Sequence, residues 1–357
     1  MAVDTAAQVP ANAVQARADL WTRLPRGLVT VTIAVVGLFV LSAIIAPSSV
    51  TKGPLLGMLP FAAVLAIASL GQTLVVQQGG IDLSVPGAIS LTVVIATHQA
   101  SGDDSRLLPA VLLALGVLLV AGMLNGLVIG RLGLNPIIAT LGMNALLYAV
   151  VLWLSGGIPR QTTDLLAGIA AGLTFGIPNS VFFAVLATVI VTLAVKRTVS
   201  GRRFEAVGAN PVAAWAAGLR VKRHRTGAYV WAMVLYWLAG CLLAGILNKP
   251  TAYQGDTYLL TTVAAVVLGG TSLLGGRGFP VATALAALFL SQLGSFALAL
   301  GVSFAARTLV EAVALAIGVS LYTVDWKGIR AKLLGRTPGP RPPTTSIPGS
   351  PGSEPGS

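Results

Sequence analysis

The sequence predicts an all-α polytopic membrane protein of about ten transmembrane helices with both termini in the cytoplasm, and three observations carry that prediction. Of 357 residues, 55% are hydrophobic and only 10% are charged, at a mean hydropathy of +0.86. That is too little charge to solvate the surface of a soluble chain of this length. Apolar runs of roughly 16 to 24 residues recur almost throughout, near the length that crosses a bilayer as a helix, and they lack the period-2 alternation of barrel strands. The cations are also unevenly placed. With the N-terminus inside, Lys52, Arg106, Arg160, Lys249 and Arg307 fall on outer segments and the other eighteen of the 23 on inner ones, as the positive-inside rule requires. The same distribution accounts for the net charge of +12 without nucleic acid, because no aromatic platform or reader motif accompanies it.

The predicted spans are 27–46, 55–77, 83–98, 107–130, 135–155, 178–195, 227–247, 258–270, 279–300 and 305–323. Residues 1–26 are polar and too long for an ordinary signal n-region, and Pro47 follows the small residues that would otherwise suggest a cleavage site. The first span is therefore read as uncleaved, within a membrane domain covering 27–323.

Between the second and third spans stands Gly79-Gly80-Ile-Asp82-Leu-Ser84-Val-Pro86. A carboxylate, a hydroxyl and paired glycines are costly beside lipid, and irregular backbone at membrane depth survives only where protein or a water-filled path satisfies it. Asp82 has two readings: it caps the helix that begins near Leu83 and Ser84, which is favoured, or it meets Arg277 or another cytoplasmic cation in a gate.

The next polar island, 196–226, holds eight of the inner cations and is expected to be a structured cytoplasmic loop. Asn210 and Pro211 form an N-cap and first-position pair, Val-Ala213-Ala214-Trp215-Ala-Ala supplies two turns, and Gly218 provides a left-handed stop. A helix this short is marginal in water alone, so it rests either on anionic lipid or on a cytoplasmic partner.

Cys241 is the only cysteine and lies within the seventh span, which excludes an intrachain disulfide and a cysteine metal cluster. His98 and His224 have no ligand-like partner three or four residues away, so no metal site is expected. The second break, Gly269-Gly270-Thr271 through Gly278, fails as a phosphate loop, because the chain contains no Gly-Lys dipeptide. Each break adjoins a short span, 83–98 or 258–270, and paired interruptions of this kind point to a transporter's pathway; two tight cytoplasmic turns are the plainer alternative.

In the last span Glu311 is an intramembrane acid, a functional candidate unless it stays protonated or pairs with Arg307 one turn earlier. Residues 324–336 then form a basic interfacial segment, with Trp326 at headgroup depth. The Pro/Gly/Ser/Thr-rich tail 337–357 is expected to be disordered.

Four blocks in fixed order, GQTLVVQQGGIDLSVPGAISL (71–91), LNPIIATLGM (134–143), GRRFEAVGANPVAAWAAGLRVKR (201–223) and AAVVLGGTSLLGGRG (264–278), make the chain resemble a permease subunit of the ribose/xylose/galactose-type ABC importers. The resemblance covers roughly 55–323. It implies a permease homodimer in the bacterial inner membrane and a cytoplasmic ABC ATPase that carries the ATP and magnesium. It also implies an external binding protein that delivers a monosaccharide or polyol. It likens the 201–223 region, with Glu205, Gly208, Asn210, Pro211, Ala213, Ala214, Trp215 and Gly218, to the coupling helix that docks on the ATPase. Two positions depart from the family pattern: Pro86 replaces a common Gly and suits the first position of the third helix, and Glu311 replaces Gly or Lys.

Gln72, Thr73, Asn125, Asn135, Thr140 and Asn144 either line a sugar path or bind helices to one another. A stand-alone ion-coupled transporter is the alternative, with Glu311 as its single coupling candidate. A membrane-embedded enzyme lacks paired acids or a nucleophile with a base.

Overall fold

The structure, a computed structural model, describes residues 26–303 together with Leu309 and Val313. The expected tenth span, Glu311, the basic segment and the tail otherwise lie outside the described residues. Twelve α-helices are present among those described: α1 (Arg26–Ile45), α2 (Lys52–Gln77), α3 (Val85–Ala100), α4 (Leu107–Gly130), α5 (Pro136–Ser155), α6 (Asp164–Ala171), α7 (Asn179–Arg197), α8 (Val199–Ala209), α9 (Pro211–Ala216), α10 (Val221–Ile246), α11 (Tyr258–Leu268) and α12 (Pro280–Ala299).

Seven of these, α1, α2, α4, α5, α7, α10 and α12, are long and apolar enough to cross a membrane, and α3 and α11 are shorter apolar helices. All nine overlap predicted spans. The three others, α6, α8 and α9, are too short to cross.

Three corrections to the sequence reading have physical causes. The fold is not wholly α: Leu173–Thr174 (β1) pairs antiparallel with Ile177–Pro178 (β2). Phe175 and Gly176, at φ of 53° and 77°, form the kind of left-handed two-residue turn that closes a hairpin. Helix α10 begins at Val221, six residues before the predicted 227, and so includes Lys222, Arg223 and Arg225. Charge at a helix end does not stop the helix, because long cationic stems lie along apolar surface while their heads reach water. Helix α3 begins at Val85, so Pro86 is its second residue rather than its first.

Helix α2 is the centre of the bundle, packed against α10, α12, α7 and α11, while α10 also packs on α4, α3 and α6. Of the apolar stretch of α2, 89% is buried, against 17% for α5. Close approach rests on small residues, as in other membrane bundles. Gly122 and Gly126 of α4 abut α10 at Val230 and Thr226, and the Thr226 hydroxyl donates to Gly126 O at 2.8 Å. Cys241 is buried within α10 and unpaired.

Candidate functional site

The first break, between α2 and α3, is closed by side chains rather than by solvent. Asp82 is fully buried. Its Oδ1 accepts from Ser84 N at 2.9 Å and from the Ser84 hydroxyl, while Oδ2 has no partner. Ser84 occupies the N-cap position of α3. Asp82 therefore holds the turn leading into the cap instead of capping the helix itself, a correction of two residues. Gln72 completes the support in the orientation that satisfies both ends of its amide: its oxygen accepts from Asp82 N at 3.2 Å, and its nitrogen donates to Asp82 O at 3.3 Å and to the Tyr236 hydroxyl at 3.1 Å. Asn125 Nδ2 donates to Ser84 Oγ at 3.3 Å. Buried polar groups in such a network are held because leaving one unpaired costs more than the bond gains.

Helix α5 braces the same turn. Thr140 accepts from Leu83 N at 2.9 Å, and Asn144 Oδ1 accepts from Gly87 N at 2.8 Å. Asn135, read as lining a path or binding helices to one another, caps α5 through Ile137 N at 2.9 Å. Thr73 donates to Ser69 O at 2.8 Å and lies 3.2 Å from the Thr283 hydroxyl, which is contact between α2 and α12. Gly80 is buried beside the Tyr229 hydroxyl. Among the described residues no cation pairs with Asp82: the ion pairs there are Arg106 with Asp103 and Lys196 with Glu205, and Arg277 is exposed.

The second break meets the first at backbone level. Gly276 N donates to Gln77 O at 2.9 Å, and Gly79 and Gly270 sit at φ of 75° and 83°, in the left-handed region that glycine tolerates. Gly269 lies against Thr283 of α12, and Thr271 Oγ1 accepts from Phe279 N at 3.3 Å. Gly208, at the end of α8, enters the same junction. A β-carbon there would lie 1.9 Å from Gln77 O.

Beyond Gly208 stands α9, and its caps are those read from the sequence. Asn210 Oδ1 accepts from Val212 N and Ala213 N at 3.1 and 3.0 Å. At the other end Gly218, at φ 79°, donates to Trp215 O, and Leu219 N donates to Ala214 O, both at 2.9 Å, the paired bonds of a Schellman stop. Ala214 is buried, whereas Ala213 is exposed and Trp215 is 73% exposed. Helix α8 anchors the unit: the Thr198 hydroxyl caps it through Gly201 N at 2.9 Å, and Glu205 pairs with Lys196 of α7, whose ammonium lies 5.1 Å from the Phe279 ring centre.

A third irregular segment, 247–257 between α10 and α11, escaped the sequence reading. At one end Asn248 O accepts from Thr162 N at 3.2 Å; at the other Gly255 N donates to Ser90 Oγ of α3 at 2.9 Å. A β-carbon on Gly255 would lie 2.0 Å from Pro86 O. The Tyr148 hydroxyl of α5 donates to Asp256 Oδ1 and lies 3.4 Å from Ser90 Oγ, and the rings of Tyr148 and Tyr253 are 5.5 Å apart. Asp256 and Tyr253 are exposed. The only sequence signal was polar composition in Gln254-Gly255-Asp256-Thr257, which reads as an ordinary loop.

Among the described residues no cluster of three or more His, Cys, Asp or Glu side chains could hold a metal. The arrangement suits passage of a solute, with polar groups at interruptions of a helical bundle and an exposed capped helix beside them.

Comparison with known proteins agrees. The family described as "Branched-chain amino acid transport system / permease component" matches residues 55–322. The chain is 36% identical to the probable ABC transporter permease protein y4mJ of Sinorhizobium fredii (strain NBRC 101917 / NGR234), over 69% of this chain and 74% of that one. It is 35% identical to the ribose import permease protein RbsC of Bacillus subtilis (strain 168), over 80% and 90%. It is also 30% identical to the fructose import permease protein FruF of Bifidobacterium longum (strain NCC 2705), over 70% and 72%. No solved structure matches it.

Proposed function

The chain belongs to the family of ABC-transporter permease components just described, and from that membership we propose that it forms the membrane path for a monosaccharide or related polyol in an ATP-driven importer. The observation that carries the sugar reading is the pair of relatives named for ribose and fructose import, each aligned over at least 70% of this chain.

Two copies enclose the path in the bacterial inner membrane, with ten spans each and both termini in the cytoplasm. A solute-binding protein delivers the sugar from outside. ATP and magnesium bind a separate cytoplasmic ATPase, and ATP-driven closure of that ATPase is transmitted through residues 205–219. The exposed Trp215 beside the buried Ala214 supports the last assignment, since one face of α9 is seated on its own chain and the other is open to a partner.

Reconstitution of the chain with its ATPase and binding protein tests the whole reading. The expected result is sugar uptake that requires ATP and the binding protein. Uptake abolished by a protonophore but indifferent to ATP depletion would sink it. Within that assembly, Ala213→Pro or Ala213→Glu is expected to reduce uptake at least about tenfold while leaving membrane insertion intact. Proline at Ala213 removes the N–H that Asn210 caps, and a new carboxylate on the docking face must be desolvated. Uptake equal to the wild type would put α9 on lipid.

A further inference from the structure

We propose that Asp256, Tyr148 and Tyr253, anchored on the buried Ser90, form a transit site for a neutral polyhydroxyl solute, on the water-filled face of the path and within the outer half of the membrane. The inference rests on the sugar-permease reading and adds the place and chemistry of recognition.

Depth comes first. Helices α3 and α5 end at Ala100 and Ser155, where His98 Nε2 lies 3.0 Å from Ile158 O and Arg160 donates to Ser101 Oγ at 2.9 Å. With a rise of about 1.5 Å per residue, Ser90 lies roughly 15 Å and Tyr148 roughly 10 Å inward from those ends. Asp256 is bound to Tyr148, and its neighbour Gly255 to Ser90. The segment therefore leaves the surface near Asn248 and descends towards mid-bilayer depth as a series of turns, such as Asp256 N on Tyr253 O at 3.2 Å, rather than as a regular helix.

Exposure comes second. Asp256 is exposed at that depth and takes part in neither ion pair among the described residues. An exposed carboxylate and an irregular backbone are both incompatible with lipid, and both are tolerated on a water-filled cavity. Asp256 thus marks which side of this subunit is wet.

The chemistry then selects the solute. A carboxylate accepts hydrogen bonds from solute hydroxyl groups, and charge makes those bonds stronger than neutral ones. The Tyr148 hydroxyl holds one carboxylate oxygen, and Tyr148 and Tyr253 present ring surface to the apolar face of a sugar. The same carboxylate repels phosphorylated or acidic solutes, so the station admits neutral polyols and discriminates against anions.

The test uses the full importer in proteoliposomes, with Cys241→Ala removing this chain's only thiol. Asp256→Cys is expected to react with a membrane-impermeant maleimide added outside. Reaction should slow at least about threefold with whichever of D-ribose, D-xylose or D-fructose the wild type accumulates. Phe175→Cys, on the 95%-exposed hairpin tip, is expected to react regardless of sugar. Reaction of Asp256→Cys only with a lipid-soluble maleimide, or with neither reagent, overturns the proposal by placing the residue against lipid or a second copy. Reaction unaffected by the transported sugar overturns the transit site.

Asp256→Asn and Tyr148→Phe are expected to lower uptake about tenfold per assembled complex, the loss of one charge-assisted bond, while binding-protein-stimulated ATP hydrolysis persists. Wild-type uptake in both also overturns the site. If the wild type accumulates none of the three sugars, the impermeant-reagent arm still decides whether Asp256 faces water, and failure of that reaction overturns the site.

Discussion

Asp82 and Asp256 are the same residue type at two interruptions of one helical bundle, and the bundle treats them oppositely. Asp82 is fully buried, bonded to the next turn and ringed by Gln72, Ser84, Asn125 and Tyr236. Asp256 is exposed, held through one oxygen by Tyr148. The first accepts its hydrogen bonds from its own chain and is sealed from water, with Oδ2 left unpartnered among the described residues. The second keeps capacity for something that is not part of the chain. In a membrane protein a carboxylate is informative less by its presence than by whether its partners are internal.

The largest expected effect tests the placement of the second segment. Gly255→Val sets a side chain where a single β-carbon already falls 2.0 Å from Pro86 O, so the 247–257 segment cannot seat, and little folded complex should survive detergent extraction. Normal yield and uptake would mean the segment is not packed on α3. Next, Asp82→Leu strips the acceptor from the buried Ser84 N–H and hydroxyl, a loss of about 2–6 kcal/mol at roughly 1–3 kcal/mol per unpaired group. Thermal unfolding in detergent should show it plainly.

Asp256→Leu in the same assay should stay within about 0.5 kcal/mol, as exposed positions do. Equal destabilisation by the two leucines would erase the contrast between the acids. The smallest effect separates charge from geometry: Asp82→Asn keeps an oxygen for Ser84, and transport-coupled ATP hydrolysis is expected within about twofold of wild type. A larger fall would restore a gating role to the charge.

What the sequence revealed about this site follows from how local each feature is. The α9 caps were legible at Asn210, Pro211 and Gly218 because capping is settled within five or six neighbouring residues. Nine apolar helices were legible from composition and run length. The cap that Asn135 makes on Ile137 N was not foreseen, because a cap and a path-lining or interhelical amide look alike until that N–H is placed. Asp82 was placed two residues out for a related reason: a carboxylate can serve the turn before the cap as readily as the cap itself. Asp256 was invisible because depth is a tertiary property. Nothing in Gln254-Gly255-Asp256 announces that Ser90, far away in sequence, will draw it inward. Helices α6 and α8 were missed because neither carries the long apolar run that marked the spans.

The junction of Gly208, Gln77 and Gly276 has a consequence for how this chain can vary. Its contacts are main chain on main chain, with Gly276 N on Gln77 O and Gly208 pressed against the same carbonyl. Every missense change at a glycine codon adds at least one carbon, and here the first carbon has nowhere to go. In a library of single substitutions Gly208 should therefore stand out as an empty column, while its sequence neighbour Ala209 accepts several residues. Drift in this part of the transporter must proceed around that point, since no neutral step leads through it.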